Sequence, residues 1–477
     1  MGPKDHRMNL SPIRRAGATQ FEASNYADWS AKAQAHDVRS GKAKWRATDA
    51  TDLYDYKSIA RRLATLRAFR AAGDDKALLY ALNEGIHGNM DGMGNERLYQ
   101  EAQFGTKHLI EAYVAEIASA LDHLASKKVR SIKPEEKRDF FNRARHCYGQ
   151  SALMLSGSGA FLFFHMGVVK TLWQEGVLPD IISGSSGGSI VGAIVCTHLD
   201  SELAPYFDAK WLDEQAELHG AKPAEGKRMT SAQVRAQLDT LIPDLTFQEA
   251  YQLTGRHLNV SVAPSERHQN SRLLNAIASP NVMIREAVAA SCAVPGIFDP
   301  VALMAKDHKG KRVPYLSDRK WVDGSMTNDL PAKRLARLYG VNHYIVSQAN
   351  PHVTPFISDL KSPNSVLESV KQATVASTKA WMNAGLSIWE KPLSFFPALN
   401  GLANMTMSII DQDYGGDITI INPPRLWSPA KILSQLSLDE MEDLIATGEA
   451  MTWPKVEMIR TQTVISKTLT QCAGTEF

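Results

Sequence analysis

Apolar positions recur at helical spacing through the first third of the chain. Ile59, Leu63, Leu66 and Phe69 share one face, and Arg61, Arg62, Arg67 and Arg70 lie on others. Gly73 and then Asp74-Asp75 stop one helix and can cap the next. Residues 109–124 repeat the pattern, so this unit reads as all-helical. Residues 1–44 are polar and Ala-rich, with Phe21, Tyr26 and Trp29 scattered among them, and predict a partly helical arm. The character changes near residue 150. Residues 152–155 form a short apolar run that ends in Ser156-Gly157-Ser158-Gly159. A helical pattern follows and closes at Gly176. Residues 181–183, a second glycine-rich turn and an apolar helix over 188–198 come next. Further runs at 257–263, 320–323 and 343–347 read as strands separated by helical patterns. That alternation predicts an α/β sheet with helices on both faces. Residues 363–389 return to a helical pattern, and 418–421 could add one late strand.

Length sharpens this picture. At 477 residues the chain exceeds one ordinary core. We expect an arm over 1–44, a helical domain over 45–150, an α/β domain over 151–355, and a mainly helical region with a late strand over 356–477. Hydrophobic residues at 44% and charged residues at 22% exclude a disordered chain and a disulfide scaffold. Lys+Arg 53 against Asp+Glu 51 leaves a net charge of +2, which offers no global field for nucleic acid. Cys147, Cys196, Cys292 and Cys472 form no C-x-x-C pair and read as small buried hydrophobes in a reducing compartment. The 14 histidines show no metal-binding spacing. Neither a metal nor a cofactor is expected. The N-terminus has no apolar h-region, and His6 breaks the myristoylation pattern after Gly2. No apolar run reaches ~18 residues, so no spanning helix is expected. A cytoplasmic protein follows as the expectation.

Function must therefore lie in local chemistry. Gly184-Ser185-Ser186-Gly187-Gly188 fits G-x-S-x-G with Ser186 at its centre. A nucleophilic serine has to stand clear of its backbone on a tight strand-to-helix turn, and flanking glycines permit that turn. The following helix aims its positive end at developing negative charge. The turn at Gly157, Ser158 and Gly159 could aim backbone N–H groups at an oxyanion. It resembles G-x-G-x-x-G only in part, because Leu162 stands at the last position. Trp321-Val322-Asp323-Gly324-Ser325 is an apolar run ending in Asp-Gly, which puts Asp323 at a strand end where open α/β sheets place ligands. The proton acceptor for the serine stays open on these grounds. Asp323 acting directly fits the spacing, and so does a later histidine, His343 or His352. His165 lies on an apolar helix and reads as a hydrogen-bonded core residue.

Together the glycine-rich turn, the G-x-S-x-G and the D-G-x in this order resemble the patatin-like phospholipases. The likeness is to the triacylglycerol-lipase branch with an N-terminal helical domain (DUF3336), in the form of its shorter bacterial relatives. It extends over residues 165–198, 287–307 and 321–356, and upstream over the helical unit. The resemblance implies a patatin-like open sheet and a Ser–Asp dyad, with Ser186 as nucleophile and Asp323 as base. It places the oxyanion hole at Gly157, Ser158 and Gly159, with Gly184, Gly188 and Gly324 as motif glycines. It implies hydrolysis of fatty-acyl esters of lipids, with peripheral contact to a lipid or membrane surface. An acyltransferase using the same acyl-enzyme, and a lipid-binding protein with a degenerate site, are the alternatives.

Three departures stand out. The branch usually has Gly-Gly-Ala where this chain has Gly157-Ser158-Gly159, and glycine where it has Leu162. Ser325 replaces the last residue of D-G-G or D-G-A. A left-handed φ at Ser158 would strain the turn. Trp381, Trp389, Phe395, Phe396 and Met405 belong to an apolar stretch that could cover the site or meet an interface.

Overall fold

The computed structural model describes residues 22–86, 90–223, 227–266, 270–325, 329–350, 415–423, 433–475 and 477. Phe21, His352 and the apolar stretch from Trp381 to Met405 lie outside the described residues.

Helices α1 (Tyr26–Arg39) and α2 (Lys42–Ala47) lead into a helical layer of α3 (Tyr56–Ala72), α4 (Asp75–Gly85), α5 (His108–Ala125) and α6 (Pro134–Tyr148). Its punctuation follows the residues. Asp55 accepts from the Ser58 N–H to start α3, Gly73 ends it at φ 69°, and Asp74 accepts from Ala77 N–H to start α4. Ile59, Leu63 and Leu66 are buried against Leu78, Leu82, Ile110 and Leu121, while Phe69 is only partly covered. Arg70 makes a two-pronged contact with the buried Glu116 of α5, at 2.7 and 2.9 Å. One face of α3 is thus tied to α5 by charge as well as by apolar burial.

The α/β part runs β1 (Gln150–Leu155), α7 (Leu162–Gln174), β2 (Ile181–Gly184), α8 (Gly187–Thr197), α9 (Ala209–Leu218), α10 (Ser231–Leu241), α11 (Phe247–Thr254), β3 (His257–Pro264), β4 (Arg272–Asn275), α12 (Ile284–Ser291), β5 (Met304–Lys306), β6 (Arg312–Pro314), β7 (Trp321–Asp323), α13 (Ala332–Tyr339) and β8 (Val341–Gln348). After it come β9 (Ile418–Ile421), α14 (Leu438–Thr452) and α15 (Val456–Ala473). The sheet order is β4-β3-β2-β1-β8-β9, with β7 paired to β3. β1, β2, β3, β8 and β9 are parallel, whereas β4 and β7 run antiparallel to β3. Alternation along β1 separates the faces. Leu153 and Leu155 join one core with α7, α8, α12 and α14, while Ala152 and Met154 join a smaller one with α13. Burial on both faces explains why β1 reads as a continuous apolar run.

The C-terminal helices have partners that the local pattern did not announce. α14 crosses α7 so closely that a Cβ on Gly448 would collide with the Phe164 carbonyl oxygen, and one on Gly167 with that of Ile445. α15 carries Ile465, Leu469 and Cys472 into the core of the N-terminal helical layer. Tyr26 of α1 also donates to Glu457 of α15 at 2.8 Å. Cys196 and Cys472 are buried and Cys292 half-buried, but Cys147 is exposed on the last turn of α6, contrary to the expectation of four buried hydrophobes. Among the described residues no helix is long and apolar enough to cross a membrane.

Candidate active site

Ser186 sits between β2 and α8 with φ 48° and ψ −125°, a conformation that L-residues rarely adopt. Such a backbone costs about 1–3 kcal/mol and persists only where its surroundings impose it. Those surroundings are visible. The Ser186 N–H donates to Ser291 Oγ at 2.9 Å, and Ser291 Oγ donates to the Ser261 carbonyl at 2.8 Å. Strand β3 and helix α12 thereby hold the turn. Gly188 completes it from the helix side, because a Cβ there would lie 2.5 Å from the Ser156 carbonyl oxygen. Gly184 is the last residue of β2 and pairs with Leu155. The two glycine-rich turns therefore leave neighbouring strands at the same level.

Asp323 arrives by a different route from the one the strand pattern suggested. β7 is antiparallel, and an antiparallel strand in the middle of a parallel sheet would point its last residue away from the parallel strand ends. Here β7 meets β3 at its end, with Asp323 opposite Val262. Val260 is level with Gly184, so Asp323 reaches the site from just beyond the strand ends. Gly324 allows this, since a Cβ there would lie 2.5 Å from the Ser261 backbone. Asp323 is 3% exposed. Its Oδ1 accepts the Ser325 N–H at 2.8 Å, and the Ser186 hydroxyl lies near enough to its carboxylate to pull its pKa down. Burial pushes its pKa up to about 6, against the pull of the hydrogen bonds from Ser325 and Ser186. Ser186 and Asp323 are thus neighbours.

The first glycine-rich turn lies against the start of α8. A Cβ on Gly187 would be 2.5 Å from Ser158 Oγ and 3.1 Å from Gly159 N. Ser158 has φ −144°, so the serine imposes no left-handed strain, and the positive φ falls on Gly159 at 53°. Gly157, expected to offer a free N–H, does not. It donates to Asp329 Oδ1 at 2.7 Å. Asp329 follows the Asp-Gly turn by six residues, and sequence reasoning missed it. A second acidic residue just past the strand was the available signal. Burial raises its pKa to about 7, and the nearby Asp323 adds to the rise. Ser325 packs on Gly157, which a Cβ at that position would crowd at 3.0 Å.

The described histidines sit in other roles. His165 is fully buried, its pKa lowered to about 4 by burial. Its Nε2 lies 3.0 Å from the Ser156 carbonyl and its Nδ1 2.7 Å from Ser347 Oγ. A carbonyl can only accept, so Nε2 carries the proton and Nδ1 accepts from Ser347. His165 thus braces the strand end before the first turn. His343 pairs with Ser151 Oγ and Gln462, at the opposite end of β1 from the site. Beside the turn a cavity encloses about 710 Å³ of empty space, its open mouth included. Ala160, Leu162, Met166, Ile190, Leu212 and Met441 form much of its apolar wall.

Residues 153–336 match the patatin-like phospholipase family, and residues 11–146 match a domain of unknown function, DUF3336. The chain is 33% identical to triacylglycerol lipase SDP1L of Arabidopsis thaliana over 94% of its own length and 57% of that protein's. It is 34% identical to triacylglycerol lipase 4 of Saccharomyces cerevisiae, over 94% of this chain and 52% of the yeast protein. Triacylglycerol lipase ptl3 of Schizosaccharomyces pombe is 33% identical over 93% of this chain and 94% of its own length. The chain thus spans little more than half of the first two relatives. All three are eukaryotic, so the bacterial likeness expected from the sequence finds no support in them.

Proposed function

We propose, from the premise that this chain belongs to the patatin-like phospholipase family in the branch that joins DUF3336 to a patatin domain, that it is a serine acylhydrolase of lipid fatty-acyl esters. Triacylglycerol is the first substrate to test, because three relatives are named triacylglycerol lipases. One observation carries the reading: Ser186, held at φ 48° over the start of α8, has a buried carboxylate, Asp323, beside its hydroxyl.

The chemistry follows from that arrangement. Ser186 Oγ attacks the ester carbonyl carbon while its proton passes to Asp323. The carbonyl oxygen takes up negative charge, which favours N–H donors and the positive end of α8. Neither the Ser158 nor the Gly159 N–H has a hydrogen-bond partner among the described residues, and both are available for this oxygen. Collapse of the adduct expels the alcohol, which takes the proton back from Asp323. Water, deprotonated by Asp323, then attacks the acyl-serine, and its breakdown frees the fatty acid and restores the Ser186 hydroxyl. Raising Asp323 to about 6 makes it a stronger base than an ordinary aspartate while leaving it ionised at neutral pH. The apolar cavity behind Ala160 and Leu162 is the place for the acyl chain.

The test is hydrolysis of a lipid panel by the full chain: triacylglycerol emulsion, phosphatidylcholine vesicles and cholesteryl ester. Folded Ser186→Ala and Asp323→Asn variants serve as controls. We expect fatty-acid release from at least one substrate by the wild type and none above background from either variant. Wild-type rates in a folded variant would sink the dyad.

A further inference from the structure

The first glycine-rich turn lacks one of the donors expected of it. Gly157 would offer its N–H, but that group is committed to Asp329 Oδ1 at 2.7 Å. Next to it stands Ser158. The side chain is 3% exposed, and its Oγ finds no hydrogen-bond partner among the described residues. Leaving a buried hydroxyl unsatisfied is unfavourable, and native proteins keep few such groups. The surroundings say what would satisfy it. The hydroxyl faces Gly187, the residue after Ser186, on the side where Gly159 N also lies. Because φ at Ser158 is −144°, the side chain gains this position without backbone strain.

We infer that the Ser158 hydroxyl is a hydrogen-bond donor to the oxyanion, standing in for the Gly157 N–H. The inference rests on Ser186 as nucleophile. The hydroxyl keeps its proton throughout: it donates to the substrate oxygen as that oxygen becomes negative and releases it when the carbonyl re-forms. No bond is made or broken at Ser158. It is a catalytic residue only in this sense, by touching the reacting oxygen.

Three measurements on the full chain test it. A fluorophosphonate probe first establishes that wild-type Ser186 is labelled. Hydrolysis of p-nitrophenyl acyl esters is then compared for the wild type, Ser158→Ala, Ser158→Gly and Ser158→Thr. Removing one such donor is expected to lower kcat about 100- to 1,000-fold with KM nearly unchanged. A trifluoromethyl ketone, which forms a charged tetrahedral adduct, should lose affinity by the same factor. Ser158→Thr, which keeps the hydroxyl, should restore most of the rate. If Ser158→Ala proves unfolded, Ser158→Gly decides. Wild-type kcat in the folded variants overturns the inference. So does a fall in kcat without the matching loss of ketone affinity, which would mark a structural role. Failure of the probe to label wild-type Ser186 overturns the nucleophile itself, and this inference with it.

Discussion

Two places in the molecule bring backbone against backbone through glycine, and they differ in what the closeness achieves. At the start of α8, Gly188 lets the helix meet the end of β1 while Ser186 is held at φ 48°. At the crossing of α7 and α14, Gly167 and Gly448 let two helices touch at the Phe164 and Ile445 carbonyls. The first approach stores strain and sets a hydroxyl beside a carboxylate. The second stores none: both helices are regular there, and Lys170 pairs with Glu449 beside the crossing. Close packing alone therefore does not make a site. What distinguishes the elbow is an outlying backbone together with buried polar groups that are not all satisfied internally.

That contrast can be broken or sharpened by experiment. The largest effect belongs to Ser186→Ala, which should reduce ester hydrolysis by about 10⁴-fold or more while leaving the thermal midpoint nearly unchanged. A large loss of stability would mean that the elbow is structural like the crossing. Gly448→Val should do the reverse. Forcing a branched side chain between two helix backbones is expected to cost about 4 kcal/mol or more, seen as a lower urea midpoint, with ester hydrolysis surviving in whatever fraction stays folded. An unchanged midpoint would show that α14 can retreat from α7.

The pH profile comes next. Asp323 must be ionised to accept a proton, and its pKa is raised to about 6 by burial. Activity should be flat above that value and fall about tenfold per unit below it. A profile that stays flat down to pH ~4, the range of an unperturbed aspartate, would remove Asp323 from the base role. The smallest effect is expected from Ser186→Gly. Glycine adopts a positive φ without strain, so this inactive variant should be more stable than Ser186→Ala by about 1 kcal/mol. Equal stability would mean that the turn at Ser186 carries little strain.

Much of the fold was readable along the chain. The strands at 152–155, 181–183, 257–263, 320–323, 343–347 and 418–421 all appear, because buried parallel strands are continuous apolar runs between turn residues. β4, β5 and β6 were not foreseen. Each is three or four residues long and partly polar, as in Arg272–Asn275 and Arg312–Pro314, and so lacks a pattern to read. At the site, Ser186 and its glycines were legible because the motif is local. Asp329 and Ser291 were not, since their importance comes from groups 172 and 105 residues away in the chain.

Local sterics explain what the amino-acid order determined by itself. A small residue on either side of Ser186, an apolar run before it and an apolar helix after it leave few conformations other than a strand–turn–helix elbow. Tertiary structure decided the rest. Pairing β7 with the last residues of β3 delivered Asp323 to Ser186 from an antiparallel strand. The Asp329 carboxylate took up the Gly157 N–H, and the Ser158 hydroxyl finds no partner among the described residues. α15 carried the end of the chain back to the N-terminal helices. Each of these depends on which surfaces meet across dozens to hundreds of residues, and a one-dimensional pattern records only the surface each segment must hide.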